Sequence, residues 1–94
     1  MVINGVNYQI SGRRTVNVNM NGAAGSLFYG QASFSLPKPA PAGWEYSIIA
    51  TGASTLMWLG SIPEISGTSA TIRVASFANS QRAAIVWWQL VESR

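Results

Sequence analysis

The sequence contains no cysteine, no histidine and no aspartate, and its only side-chain carboxylates are Glu45, Glu64 and Glu92. Without cysteine there are no disulfides, thiolate metal ligands or Cys nucleophiles. Without histidine the commonest general base and metal ligand is gone. Three scattered glutamates do not furnish a catalytic triad, a zinc site or a carboxylate calcium cage. An enzyme is therefore not expected, nor a metal or other cofactor. Charge is scarce as well: 10% of the 94 residues are charged, against about 25% in an average soluble protein. Ser, Thr, Asn and Gln must keep the surface wet instead. With 48% apolar residues the chain is not disordered, and its length suits one small domain over residues 1–94.

Six cations against three anions give a net charge of +3. Nucleic-acid binders gather Lys and Arg on one face, whereas Arg13-Arg14 is the only adjacent pair here and Lys38, Arg73, Arg82 and Arg94 are dispersed. No nucleic-acid partner is expected. The apolar runs Ile48 to Ala50 and Ala83 to Trp88 fall far short of the ~18 to 20 residues of a membrane span, so membrane insertion is not expected either. Met1 leads straight into Val-Ile-Asn-Gly with no signal-peptide pattern, which reads as a domain of a longer chain or a short protein made in the cytosol.

Turn chemistry punctuates the chain at Ser11-Gly12, Asn21-Gly22, Pro37 to Gly43, Thr51-Gly52, Ser66-Gly67 and Asn79-Ser80. Between these marks the pattern alternates with the period of a strand. Arg14, Val16, Val18 and Met20 oppose Thr15, Asn17, Asn19 and Asn21. Phe28, Gly30, Ala32, Phe34 and Leu36 oppose Tyr29, Gln31, Ser33 and Ser35. Trp44, Tyr46, Ile48 and Ala50 oppose Glu45, Ser47 and Thr51, and Ile72 and Val74 oppose Thr71 and Arg73. Thr55 to Ile65 reads as one bent or bulged strand, and Ala83 to Val91 as the last. No window has the 3.6-residue period of a helix. Pro37 to Pro41 is read as a stiff crossover rather than a ligand for a proline-binding module.

Six antiparallel strands in this length suit a two-sheet sandwich or a small barrel. We expect the six-stranded antiparallel β-sandwich over residues 12–92, with 1–11 a lead-in or an edge strand. The last strand breaks the half-buried rule. Ala83, Ile85, Trp87 and Val91 point one way and Ala84, Val86, Trp88 and Leu90 the other, so both faces are apolar. A sandwich covers only one of them. A loop or the N-terminal segment is one possible cover. Another copy of the chain is the one expected, with Ile85 and Trp87 at the interface of a symmetric oligomer.

The order Phe34-Ser-Leu-Pro37-Lys-Pro39, Trp44-Glu-Tyr-Ser-Ile-Ile, Ile65-Ser-Gly-Thr-Ser-Ala-Thr-Ile72-Arg-Val74 and Ile85-Val-Trp-Trp88-Gln-Leu resembles the H-type lectin pattern. Many C-terminal domains of bacteriophage tail fibres and minor tail proteins share it. The resemblance spans about residues 12 to 92. It implies a six-stranded antiparallel sandwich that trimerises and binds carbohydrate on a bacterial surface, located on a virion tail fibre or otherwise extracellular. The chain has no Asp or His beside an aromatic in the late loop, so the N-acetylgalactosamine specificity of animal members does not carry over.

The expected function is therefore a receptor-binding domain that reads a host glycan, as a homotrimer. The alternatives are a structural trimerisation or fibre-tip module without ligand, an OB-type binder of single-stranded nucleic acid, and a glycosidase using Glu45 and Glu64, which read more simply as solvated strand or turn residues. A pyranose stacks its C–H face on an exposed ring while its hydroxyls take polar partners. Tyr29, on the polar side of its strand, and Trp58 are the candidate platforms. If successive loops alternate between two ends, residues 21–26, 51–54 and 77–82 share one end, away from the termini. This adds Asn79, Gln81 and Arg82 as candidate ligand-binding residues, supplying amides and a guanidinium fork. With so few groups titrating between pH 5 and 9, stability should be flat across that range.

Overall fold

The computed structural model describes residues 1–53, 56–77 and 82–93. Among them run the strands β1 (Val2–Ile3), β2 (Val6–Asn7), β3 (Ser11–Ala24), β4 (Leu27–Ser35), β5 (Trp44–Gly52), β6 (Met57–Leu59), β7 (Glu64–Ser66), β8 (Ser69–Ser76) and β9 (Arg82–Glu92). Every pairing is antiparallel.

The main sheet runs in the order β5-β9-β3-β4-β8-β6, with β7 also on β8. Because β6 returns to the side of β5, the sheet curls into a nearly closed barrel, and the expected two-sheet sandwich is overturned. The cause lies in β3. An aligned sandwich assigns each strand to one sheet, but this 14-residue strand belongs to both halves. Its segment from Ser11 to Val18 pairs with β9, and Asn19 to Ala24 pairs with β4. The register shifts between Asn19 and Gly22, a bulge that bends the strand and lets one hydrogen-bonded sheet turn the corner. Gly30 sits opposite the bend, where a β-carbon would run into the Asn19 carbonyl. Its bare α-carbon lets β4 close up at that point.

The lip of the barrel stays open where Glu45, Tyr46, Ser47 and Ile48 of β5 face Ile62, Pro63 and Ile65 across a cleft of about 350 Å3. The single bent strand expected from Thr55 to Ile65 is two short strands laid end to end on β8: Met57 pairs with Ser76 and Glu64 with Thr71. Ahead of β3, β1 and β2 form a two-stranded sheet of their own. Asn4 and Gly5 both have positive φ (51° and 80°) and turn β1 back onto β2, the turn that Asn-Gly favours in a two-residue hairpin. Ile3 and Tyr8 then join the core.

Inside the barrel the inward sets of the alternation meet: Val18 and Met20, Phe34 and Leu36, Tyr46 and Ile48, Ile72 and Val74, Ala84, Val86, Trp88 and Leu90 are all buried. Trp88 is 5% exposed, meets Tyr46 edge-on with ring centroids 5.5 Å apart, and lies over Gly12 in the space a side chain there would need. Of the two faces of β9, this is the one the barrel covers. Ile85 and Trp87 are on the outside.

Tyr46 carries a pH consequence. Its hydroxyl donates to the Lys38 carbonyl (2.8 Å), and burial, with Tyr8 adding to it, pushes its pKa above the usual 10.0. The folded state therefore holds this proton more tightly than the unfolded chain. The stabilisation is complete below pH 10 and is lost as pH rises through the folded value. Thermal melts should show a decline in Tm only above about pH 10, weakened in Tyr46→Phe, which lacks the proton. A decline of equal size in that variant would assign the alkaline limb to another group.

Candidate functional site

On an antiparallel sheet, residues directly opposite one another project to the same face. On the outer face of the β3-β4-β8-β6 half, the register lines up Gly22, Tyr29, Ala75 and Trp58 in one row. The two aromatic residues nominated separately in the sequence thus flank a common floor, Ala75. They stand two strands apart, roughly 10 Å. Tyr29 is 49% exposed. Its ring occupies the space above Gly22 that a β-carbon would fill, so glycine on one strand seats the aromatic of the next. Trp58 is half-buried and packs at a tilt on Phe77, centroids 5.4 Å apart, leaving Tyr29 as the more open platform.

The next row along the strands is polar: Asn19, Gln31 and Arg73. The row after that brings together Ser33, Thr71 and Glu64. Ser33 and Thr71 share a hydroxyl–hydroxyl hydrogen bond (2.9 Å), and Arg73 Nη1 donates to Glu64 Oε1. Both members of this ion pair are well exposed, so the pair adds at most about 1 kcal/mol to stability. Asn21, Tyr29, Gly30, Gln31 and Arg73 line a shallow cleft of about 380 Å3. An aromatic ring, two amides and a guanidinium thus meet on one rigid sheet surface. Chemically, such a surface stacks a flat apolar face and hydrogen-bonds the polar groups around its rim.

Of the other candidates, Arg82 does not join this surface. It opens β9 opposite the buried Val18, on the inward side of the alternation at the end of the barrel, and is half-buried. Asn79 and Gln81 lie outside the described residues. Near the ends of the flanking strands, Phe28 pairs with Ser76 and the Ala53 amide donates to the Ala83 carbonyl (3.1 Å). Gln31, Arg73 and Asn21 were not named in the sequence as ligand-binding residues, although all three stand on the polar side of their strands and Asn21 opens the loop group at 21–26. Only the register of β4 against β8 sets Gln31 beside Arg73.

A second surface lies on the opposite half of the barrel. There Arg13, Trp87 and Ile49 form one row across β3, β9 and β5, Thr15, Ile85 and Thr51 the next on one side, and Ser11, Gln89 and Ser47 that on the other. Trp87 is 44% and Ile49 62% exposed, and the Arg13 guanidinium stands 5.2 Å from the centroid of the Trp87 ring, a cation–π contact. A cleft of about 480 Å3 runs past Ser11, Arg13, Ser47, Ile49, Trp87 and Gln89. This is the uncovered face of the last strand, with Ile85 half-buried and Trp87 open to solvent. Among the described residues no group of His, Cys, Asp or Glu side chains is arranged to hold a metal. Compared with known protein families, curated proteins and solved structures, the chain matches none of them, and its function has to be read from these two surfaces.

Proposed function

We propose that the domain binds carbohydrate, as the receptor-binding part of a phage tail fibre or similar adhesin, with the Tyr29 surface as its glycan site. The observation that carries this reading is the Tyr29 ring itself. It is half-exposed, held over Gly22, and bordered by Asn21, Gln31 and Arg73. A pyranose presents to such a ring the C–H face it stacks with, and hydroxyls to the amides and guanidinium. The site stands on strands rather than on loops, so little ordering cost is added on binding.

A glycan array combined with binding to intact bacterial cells is the test. Tyr29→Ala should weaken binding about tenfold or more, the equivalent of 1.4 kcal/mol, and Tyr29→Phe should bind like the parent. Trp58→Ala is expected to cost less. Parent-like binding by both alanine variants would place the site elsewhere or remove it.

Self-association as a homotrimer is part of the same proposal, since weak single sites on a shared scaffold gain avidity. The row of Ile49 and Trp87, with Ile85 beside it, is the surface we assign to it. This surface also supports the second reading, a structural trimerisation module with no ligand. Light scattering at micromolar concentration should give a trimer for the parent and a monomer for Trp87→Glu combined with Ile49→Glu. A monomeric parent would remove the assembly from the proposal.

A further inference from the structure

We infer that the Tyr29 site, if it binds glycans as proposed above, selects saccharides that carry a carboxylate, of the uronic or neuraminic acid type, and that Arg73 reads the acid. The cleft has one charged lining residue, Arg73, and no carboxylate among its lining residues. A neutral sugar that covered this guanidinium would take its Nε and Nη2 side out of water with only the exposed, one-pronged Glu64 contact to balance the charge, which opposes binding. An acidic sugar supplies the counter-charge and a charge-assisted, two-pronged hydrogen bond.

The donors for that bond are in place. Arg73 meets Glu64 through Nη1 alone, and among the described residues its Nε and Nη2 hydrogens have no other partner. Glu64 further shows that a carboxylate reaches this guanidinium from the outer face of the sheet. It comes from the short strand β7, two residues along from the Gln31–Arg73 row, and is well exposed. The ligand's acid joins it on the free edge of the fork or takes its place. Adjacent same-face rows are about 7 Å apart along a strand. A ring stacked on Tyr29 spans that distance with one ring-borne carboxylate and one hydrogen bond. The net charge of +3 favours the approach of an anion.

The experiment titrates the full chain, by nuclear magnetic resonance or calorimetry, with glucuronate, galacturonate and neuraminate oligosaccharides, each beside its carboxyl-reduced counterpart. At least one acid form should bind about tenfold more tightly than its reduced form. In Arg73→Gln that preference should fall to within about twofold, while Arg73→Lys keeps part of it as a point charge. Glu64→Gln should strengthen acid binding several-fold and leave the reduced sugar unchanged, an effect that a merely structural ion pair would not produce. Tyr29→Ala should weaken acid and reduced forms alike.

If acid and reduced forms bind equally and both depend on Tyr29, the selectivity is wrong and the glycan site stands. A preference that survives Arg73→Gln would assign it to net charge and overturn the role of Arg73. If no sugar of either set shows Tyr29-dependent binding, the inference falls together with the reading it rests on.

Discussion

Trp88→Ala should remove about 3–5 kcal/mol, most of the stability of a domain this small, whereas Trp87→Ala, one residue away, should change the stability of the isolated chain by about 1 kcal/mol or less. Trp88 is 5% exposed, sits edge-on to Tyr46 and fills the space over Gly12. Its removal forfeits an indole's worth of burial and leaves a cavity that rigid strands on both sides do not collapse to fill. Truncations of this kind cost about 3–5 kcal/mol, and a domain this small has a total stability near the lower end of ~5–15 kcal/mol. Trp87 lies on the outer face, with the Arg13 guanidinium 5.2 Å from its ring centroid. Urea denaturation followed by far-ultraviolet circular dichroism separates the two. Similar midpoints for the two variants would mean that Trp88 is not the main buried anchor of β9, and a lower midpoint for Trp87→Ala would mean that its faces are the wrong way round.

Gly30→Ala is expected to destabilise by about 2–3 kcal/mol, the cost of overpacking a site whose neighbours do not yield. Replacing glycine by alanine where the backbone allows it usually stabilises by about 0.4–1 kcal/mol through the unfolded chain. Here the new β-carbon meets the carbonyl of Asn19 and, at 3.1 Å, Cγ1 of Val18. The first obstacle is backbone, at the bulge where β3 changes partner, so the β3–β4 pairing itself must shift. Gly60→Ala is the control, since the nearest atom to its β-carbon is the Arg73 carbonyl oxygen at 3.8 Å, and it should be near neutral. Equal denaturation midpoints for Gly30→Ala and the parent would show that the bend of β3 does not depend on close approach by β4.

Which residues face inward was legible from period-two alternation alone. Val18, Phe34, Tyr46, Ile72 and Trp88 sit where parity puts them, because burial on one side of a pleated strand leaves that mark locally. Barrel closure left no such mark. It depends on β3 switching partner at Asn19, a choice made by residues distant in the chain, and nothing in the alternation of Val16, Val18 and Met20 records it. The Asn4-Gly5 turn was legible, since Val-Ile and Val flank it, but strands of two residues carry too little alternation to draw attention. The candidate site divides the same way. Tyr29 stands out as an aromatic on a polar face. Its neighbours Gln31 and Arg73, and the shared floor with Trp58, come from the registers of β4 and β6 on β8.

The placement of β9 between β5 and β3 bears on how the domain is made. Its last strand is an interior one, and it bridges partners some 40 and 70 positions earlier in the chain. Until residues 82–92 leave the ribosome, β5 has no strand to pair with and the first half of β3 is an open edge, so the nascent chain can form the β3–β4 hairpin but not the barrel. Closure waits for a long-range event, which places the domain among slow folders of high contact order. It also leaves two unpaired edges exposed to neighbouring chains for as long as synthesis lasts.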